Sequence, residues 1–347
     1  MILVTGATGF LGVHLLMELS EKAQAPIKAI YRDEIKKEEA FQVFLKYNPN
    51  TDAANKWHQI NWIKADITDV PSLEKAFTNV SQVYHCAGFI SFNPKEFNLL
   101  KKINIEGTAN VVNLALAHNI DSFCHVSSIA TLNLNPGEKT YTEESQWNPE
   151  FNNSDYAISK FGGEMEVWRG IQEGLNAVIV NPGVILGSGF FNTGSGEIIK
   201  KTAKGIPFFT SGGTGFISVT DCAQIMIQLV TQRQFNERFI LISSNESHQK
   251  IIRTAAQYLN VKAPKKQIAK KWLVLISKIE NALSFISNYK ANIPISIVDD
   301  LYTISEYSNN KVKTALNWNF EELESTLKKA ALNYQSSLES SSKTSSF

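Results

Sequence analysis

Residues 4–12 read Val4-Thr5-Gly6-Ala7-Thr8-Gly9-Phe10-Leu11-Gly12, and this stretch decides the fold. Apolar residues precede it and a helical pattern follows it, so its three glycines fall where a strand turns into a helix. Gly6 permits the tight turn, Gly9 lets the backbone approach a ligand, and Gly12 lets the helix pack closely on the sheet. The unpaired N–H groups of the helix N-terminus then face the turn. The stretch therefore predicts a site for the pyrophosphate of a dinucleotide.

Outward from this turn, short apolar runs alternate with longer amphipathic ones over the first two thirds of the chain. The runs typical of strands are residues 2–4, 27–31, 60–63, 82–86, 123–126 and 177–180. The segments with helical periodicity are residues 11–22, 70–77, 103–119 and 156–172. This alternation predicts an α/β fold, a doubly wound parallel sheet with helices on both faces. Such sheets bind ligands at the carboxyl ends of their strands, where the strand order reverses.

A change of pattern after residue 186 indicates a second, smaller lobe. Glycines cluster between Gly187 and Gly215, and the later segments are mainly helical. We expect residues 1–186 to form the nucleotide-binding domain, with a return segment at about 215–235. The remainder of 187–335 is expected to form a mainly helical lobe that closes over the ligand crevice. Residues 336–347 hold seven serines in twelve residues, which predicts a disordered tail.

Charge and hydropathy exclude several classes of partner. The chain has 347 residues, and 34 Lys and Arg oppose 33 Asp and Glu, giving a net charge of +1. Nucleic acid or an anionic membrane normally requires a basic excess, so neither is expected as a partner. The apolar stretch 272–286 is too short and, at Lys278 and Glu280, too polar to span a bilayer. Because an apolar strand is predicted to begin at Ile2, we expect no signal peptide and a cytoplasmic protein.

The cysteines give no sign of a metal site. Cys86, Cys124 and Cys222 stand far apart, without the spacing of metal ligands, and the histidines share no such spacing either. We predict three reduced core thiols and no bound metal.

Cofactor choice is expected to depend on the end of the second strand, which reads Tyr31-Arg32-Asp33 and is followed by Lys36 and Lys37. A basic residue there pairs with a ribose 2′-phosphate, whereas an acidic one accepts from the 2′-hydroxyl. Arg32 comes first and favours NADP(H). Asp33 leaves NAD(H) possible.

A candidate catalytic pair lies on the fourth long helix. Tyr156 and Lys160 are four residues apart and so share one helix face. A lysine cation beside a phenol lowers the phenol pKa, so the pair can pass a proton to or from a carbonyl oxygen. Ser128 ends a strand whose carboxyl end faces the same crevice, and its hydroxyl is suited to hold that oxygen.

In this order, these motifs resemble the extended short-chain dehydrogenase/reductase family, also called the NAD-dependent epimerase/dehydratase family. The resemblance runs from residue 3 to about 223 and implies a Rossmann-type fold. Besides the glycine turn and the Tyr156/Lys160 pair, its landmarks are Ala65-Asp66-Ile67-Thr68-Asp69, His85-Cys86-Ala87-Gly88, Asn104-Ile105-Glu106-Gly107-Thr108, Val126-Ser127-Ser128, Asn181-Pro182-Gly183-Val184-Ile185-Leu186-Gly187 and Phe216-Ile217-Ser218-Val219-Thr220-Asp221-Cys222-Ala223.

The resemblance also implies roles for single residues. Tyr156 is expected to be the general acid/base, Lys160 its electrostatic partner on the nicotinamide ribose, and Ser128 the catalytic hydroxyl, while Ser127 serves the local backbone. Asn104 is expected to hold a helix kink or a water near the lysine. The remaining expected cofactor contacts are Gly6, Thr8, Gly9, Phe10, Leu11 and Gly12 in the turn, Arg32, Asp66 and Ile67 around the adenosine, Ala87 and Gly88 at the next strand end, and Pro182, Gly183, Val184 and Ile185 beside the nicotinamide. Phe89, Ser91 and Phe92 follow a strand end over the crevice, and either substrate contact or simple packing explains them.

Departures from the sugar-nucleotide enzymes narrow the expected activity. Those enzymes use arginines to clamp a substrate pyrophosphate, and this chain has only five arginines. The motifs are closer to the dihydroflavonol 4-reductase and 3β-hydroxysteroid dehydrogenase branch, which implies reduction of a carbonyl on an apolar or ring-bearing small molecule. A nucleotide-sugar epimerase or dehydratase with tightly bound NAD, and a non-catalytic cofactor-sensing protein, remain the alternatives. The resemblance further implies a homodimer.

Overall fold

The computed structural model describes residues 1–48, 50–286 and 294–344. Its strands are β1 (Ile2–Thr5), β2 (Ile27–Tyr31), β3 (Asn61–Lys64), β4 (Gln82–His85), β5 (Ser122–Val126), β6 (Thr140–Tyr141), β7 (Ala177–Pro182), β8 (Val184–Leu186), β9 (Phe208–Phe209), β10 (Gly213–Ser218), β11 (Glu237–Leu241), β12 (Ser244–Ser247), β13 (Lys266–Gln267) and β14 (Glu306–Tyr307).

The helices lie between these strands and after them. They are α1 (Phe10–Lys22), α2 (Glu34–Tyr47), α3 (Ala53–Gln59), α4 (Val70–Phe77), α5 (Phe97–Lys101), α6 (Gly107–Ala117), α7 (Asp155–Gln172), α8 (Gly196–Lys204), α9 (Val219–Thr231), α10 (His248–Tyr258), α11 (Lys270–Ile286), α12 (Asn310–Leu316) and α13 (Leu323–Thr344). A π-helical turn, Lys102–Glu106, joins α5 to α6, and short 3₁₀ turns cover Pro94–Glu96, Ile129–Thr131 and Ile295–Ile297.

A seven-stranded parallel sheet organises the chain, in the order β11-β7-β5-β4-β1-β2-β3. Strand β1 pairs with β2 on one side and β4 on the other, so that Val4 lies between Ala29 and Tyr84. The strand order therefore reverses beside β1. This reversal opens a crevice at the carboxyl end of β1, where the glycine turn begins. The predicted doubly wound α/β fold is confirmed.

Helices cover both faces of this sheet and bury its central strands. On one face, α1, α2, α9 and α12 pack around a core that includes Leu15, Phe44 and Met226. On the other, α4, α6 and α7 pack around a core that includes Leu73, Val111 and Val167.

The segment that returns to the main sheet extends further along the chain than the predicted end at about residue 235. After β10 and α9, strand β11 pairs in parallel with β7, from Glu237 opposite Val178 to Leu241 opposite Pro182. The return therefore extends beyond residue 235, because β11 covers an edge of β7 that would otherwise carry unpaired backbone groups. The division into 1–186 and 187–335 stays a prediction. In the later part of the chain, α8, α10 and α13 pack around Phe191, Ile199 and Tyr334.

The prediction of a disordered tail from residue 336 is wrong for residues 336–344, which continue α13. Leu327, Ala330, Ala331 and Tyr334 are buried along this helix and fix its course against the rest of the lobe. The hydroxyl of Ser337 donates to the carbonyl of Tyr334 (2.6 Å), so this serine satisfies a helix carbonyl instead of breaking the helix. Residues 345–347 lie outside the described residues.

Among the described residues, no helix combines the length and apolar character that crossing a bilayer requires.

Candidate active site

The glycine turn closes as the sequence predicts. The Gly9 N–H donates to the Gly6 carbonyl (3.0 Å), and Gly9 is the N-cap of α1. Gly6 has φ +64°, and a Cβ there would lie 2.5 Å from the backbone nitrogen of Ala87, while a Cβ on Gly12 would lie 2.2 Å from the Gly6 carbonyl oxygen. Only glycine fits either position. No side chain caps α1, so its first N–H groups remain for an anion, as a bound dinucleotide pyrophosphate requires.

The residues expected near the adenosine meet where β2 and β3 end. Arg32 is half-exposed, and its guanidinium lies 3.5 Å from the Asp66 carboxylate. Burial works to raise the pKa of Asp66, but hydrogen bonds from Thr68 and the charge of Arg32 hold this pKa below its usual value. Ile67 is buried, and its carbonyl accepts from the side chain of Asn110 (2.9 Å).

Asp33, just after β2, uses one of its carboxylate oxygens as the N-cap of α2. Its carboxylate caps α2 and accepts from the backbone N–H groups of Ile35 (2.7 Å) and Lys36 (3.1 Å). One carboxylate oxygen of Asp33, the residue that keeps NAD(H) possible in the sequence, is therefore engaged at the start of a helix.

The candidate catalytic side chains lie close together, on α7 and after β5. Ser154 caps α7 and accepts from Ala157 N–H (3.2 Å), which fixes the first turn of the helix, where Tyr156 lies. Burial raises the pKa of the Tyr156 phenol, and a hydrogen bond with the Ser128 hydroxyl works against that rise. The Ser128 hydroxyl, just after β5, therefore lies near the Tyr156 phenol.

Lys160 lies one turn along α7 and is buried. Its ammonium donates to the carbonyl of Val126 (2.8 Å), which places it at the carboxyl end of β5. Burial lowers the Lys160 pKa to about 8, although the charge of Glu164 opposes this change. Gly88 lies beside it, because a Cβ on Gly88 would be 3.8 Å from the Lys160 ammonium.

Asn104 lies in the π-helical turn, and its side chain forms hydrogen bonds that reach beyond the predicted helix kink. Its side-chain oxygen accepts from Phe89 N–H (2.8 Å), and its amide donates to the Phe89 carbonyl (2.9 Å) and to the Ser159 hydroxyl (2.9 Å). It therefore ties the loop after β4 to α7, between Tyr156 and Lys160.

The loop after β4 carries the three candidate substrate contacts, and these three side chains have different surroundings. The ring of Phe92 meets the ring of Tyr156 edge-on, with centroids 5.7 Å apart. The Ser91 hydroxyl donates to Glu96 and accepts from Asn93 N–H, so it stabilises its own loop. Phe89 packs against the core beneath α6 and α7.

The stretch from Pro182 to Ile185 follows the carboxyl end of β7. The Gly183 N–H donates to the Leu241 carbonyl (3.2 Å), and Val184 begins β8, which pairs with β10. This stretch therefore lies between the main sheet and the smaller one.

A buried polar cluster lies beneath the site, and the sequence motifs did not predict it. Glu164 is fully buried, and its carboxylate accepts from Ser127 (2.6 Å), Thr131 (2.9 Å), Asn181 (3.0 Å) and Arg238 (3.3 Å). Ser127 thus serves this carboxylate, and its predicted role at the local backbone is wrong. The signal for Glu164 was its position four residues after Lys160, on the same helix face. No comparable spacing in the sequence indicated that Arg238 would belong to this cluster.

The described residues include no group of three or more His, Cys, Asp or Glu placed to hold a metal ion. Cys86, Cys124 and Cys222 are free thiols.

Comparison with known proteins agrees with this geometry. The model of an NAD-binding family described as male sterility protein matches residues 4–231. A Synechocystis protein provisionally named dihydroflavonol 4-reductase is 28% identical over 280 residues, which cover 78% of this chain and 76% of the relative.

Two solved structures show the same fold over 96% of this chain and 98% of their own. They are the UDP-glucuronic acid 4-epimerase of Bacillus cereus with NAD, at TM-score 0.72 and 17% identity, and the yeast methylglyoxal/isovaleraldehyde reductase with NADPH, at TM-score 0.69 and 19% identity. Because the family model spans the glycine turn, Ser128 and the Tyr156/Lys160 pair, the chain belongs to this NAD-binding family of the extended short-chain dehydrogenase/reductase superfamily and is an NAD(P)-dependent enzyme of the oxidoreductase and epimerase type.

Proposed function

We propose that the protein is an NADP(H)-dependent reductase of a ketone or aldehyde on an apolar or ring-bearing small molecule. The observation that carries this proposal is the contact of α7 with the carboxyl end of β5. The Lys160 ammonium donates to the Val126 carbonyl (2.8 Å), two residues before Ser128, and Tyr156 lies one helical turn before Lys160. A phenol, a hydroxyl and a cation at one strand edge form the set of groups that protonates a carbonyl oxygen.

In this mechanism NADPH, when bound, supplies the hydride that reduces the carbonyl carbon. Ser128 donates a hydrogen bond to the carbonyl oxygen and orients it. Tyr156 gives its proton to the same oxygen. The Lys160 cation stabilises the phenolate that remains, because an adjacent positive charge favours the ionised phenol.

The preference for NADP(H) rests on the end of β2. Arg32 is half-exposed, with its guanidinium turned towards the adenosine side at Asp66, and Lys36 stands in the first turn of α2. Both are cations available to a 2′-phosphate. The Asp33 carboxylate, which would repel that phosphate, already accepts two backbone N–H groups.

An apolar substrate is supported by the surroundings of Tyr156 and by the positions of the arginines. The ring of Phe92 borders the Tyr156 phenol, and an aromatic wall suits a ring-bearing carbonyl compound. A sugar-nucleotide pyrophosphate would need arginines in the crevice. Arg169 instead pairs with Glu166 and Glu173 on the surface of α7, and Arg238 is held by Glu164.

The test is consumption of NADPH and of NADH by the purified chain against aryl ketones, aldehydes, steroids and nucleotide-sugars. We expect NADPH oxidation with one carbonyl class. Tyr156→Phe should lower turnover by about 10²- to 10⁴-fold and leave the NADPH Kd unchanged, since it removes only the transferable proton. Tyr258→Phe, which removes the hydroxyl that donates to Glu324, is the matched control and should keep full activity.

Two outcomes would contradict the proposal. Interconversion of a nucleotide-sugar without net cofactor consumption would establish an epimerase. Cofactor binding without turnover of any compound would establish a cofactor-sensing protein.

A further inference from the structure

Helix α11 has an apolar face that no other part of the described chain covers. Its buried side consists of Leu273 and Ser277, with Val274 at its margin, and this side packs on the segment that contains Val298 and Leu301. The opposite side presents large apolar residues to solvent, with exposed fractions of 56% for Trp272, 47% for Leu275, 37% for Ile276 and 54% for Ile279.

These four residues form one stripe. At 100° per residue, positions 272, 275, 276 and 279 fall within about 100° of arc on the helix surface. Four exposed large apolar side chains in eight residues exceed the scattered single ones that a protein surface normally carries. The stripe therefore indicates an interaction surface.

The charged residues in the sequence around the stripe are predominantly positive. Between residues 262 and 279 the sequence has six lysines and no acidic residue, and all six lysines are exposed: Lys262, Lys265, Lys266, Lys270, Lys271 and Lys278. Of these, Lys270 pairs with Asp299 (2.9 Å). The whole-chain charge of +1, from which no anionic membrane is expected, conceals this local excess.

The arrangement of charge about the stripe matches an interfacial helix. Lys271 and Lys278 lie seven residues apart, on the flank of the stripe next to Leu275, and the Lys271 ammonium is 5.8 Å from the Trp272 ring centre. Lysine stems lie along apolar surface while the ammonium groups reach headgroups, and tryptophan favours the same boundary. Lys278 and Glu280 make the helix too polar to span, so it would lie in the plane of the surface.

The same charge disfavours a second copy of the chain as the occupant. Two copies joined through this stripe would bring two lysine clusters together, and like charges across an interface oppose association. A surface of anionic lipid headgroups offers both a complementary charge and an apolar layer for the stripe.

We propose that the exposed face of α11, with its flanking lysines, docks the protein on an anionic lipid surface. Docking is peripheral and reversible, through Trp272, Leu275, Ile276 and Ile279 in the acyl boundary and Lys271 and Lys278 at the headgroups. This proposal is independent of the reductase activity, because binding is measured without turnover.

The experiment is co-sedimentation of the full chain with vesicles of phosphatidylcholine, with and without phosphatidylglycerol. We expect binding to the vesicles that contain phosphatidylglycerol and much weaker binding to phosphatidylcholine alone. K271Q/K278Q should weaken binding about 25-fold, at about fivefold for each lysine near the surface. W272S/I279S should weaken it by more than about tenfold. High salt should weaken the binding of the unaltered chain, because it screens the lysines.

The matched control is L332S/K328Q on α13, which removes an exposed leucine and a lysine from another helix and should bind as the unaltered chain does. Because all the altered side chains are exposed, the variants should keep the melting temperature of the unaltered chain. Failure of the unaltered chain to bind phosphatidylglycerol vesicles would overturn the proposal. So would equal binding by all variants, or a dimer in sedimentation analysis that W272S/I279S converts to monomer.

Discussion

The guanidinium of Arg238, on the edge strand β11, lies 3.3 Å from the carboxylate of Glu164 on α7, and the Glu164 side chain is fully buried while that of Arg238 is 15% exposed. This ion pair joins the last strand of the sheet to the helix that carries Tyr156 and Lys160. Arg238 also donates to the carbonyls of Glu143 (2.7 Å) and Ser145 (2.6 Å), so the loop before α7 is held by the same side chain.

Arg238→Leu should therefore lower the free energy of unfolding by about 3–5 kcal/mol, because it removes the ion-pair partner of the buried Glu164 carboxylate. Urea denaturation measures this change. Arg169→Leu is the control on α7 itself, where the ion pairs are partly exposed to solvent, and it should cost less than about 1 kcal/mol. Adding Glu164→Gln to Arg238→Leu should restore part of the loss, since it removes the uncompensated charge. Equal costs for the two arginine variants would contradict a stabilising role for the buried pair.

The pKa of Lys160 predicts a pH limit for the reaction. Burial lowers this pKa to about 8, so the ammonium cation is present below that pH and is lost as the pH rises through it. Since the cation favours the Tyr156 phenolate, kcat/KM should fall above about pH 8. Lys160→Arg keeps its charge throughout this range, and its profile, although lower in rate, should lack this decline. A decline at the same pH in Lys160→Arg would assign it to another group.

Arg32 should determine the preference between the two coenzymes. Arg32→Ala should raise the Kd for NADPH about 10- to 100-fold, because it removes a charge-assisted hydrogen bond to the 2′-phosphate. The Kd for NADH should change little. Fluorescence titration of both coenzymes measures the two constants. Arg253→Ala, which removes an exposed arginine from α10, should change neither. Equal weakening of NADPH and NADH by Arg32→Ala would argue against a 2′-phosphate contact.

Phe92 should act on substrate affinity through its position against Tyr156. Phe92→Ala removes the aromatic wall, so KM for an aryl carbonyl compound should rise about tenfold while KM for a small aliphatic aldehyde changes little. Ile90→Ala, at a residue of the same loop that is 60% exposed, serves as the control. If both substrates respond equally, Phe92 supports the loop and does not select the substrate.

The local parts of the site were predictable because they are encoded over short stretches. The glycine turn needs nine consecutive residues, and the Tyr156/Lys160 pair needs only one turn of helix. The strands of the main sheet were found up to β7, since strands buried on both faces are continuous apolar runs. Strand β11 was missed as a sheet member because only its pairing with β7 reveals the role of a short apolar run.

Sequence by itself determined the nucleotide turn, the alternation of strands and helices, and the order of Ser128, Tyr156 and Lys160. Tertiary structure decided which partners meet across long separations, such as Arg238 with Glu164 and Asn104 with Phe89. It also decided that α13 continues through its serines and that the apolar stripe of α11 faces outward. The physical reason is that periodicity fixes which face of an element is apolar, whereas only packing fixes what covers that face and which buried charges are paired.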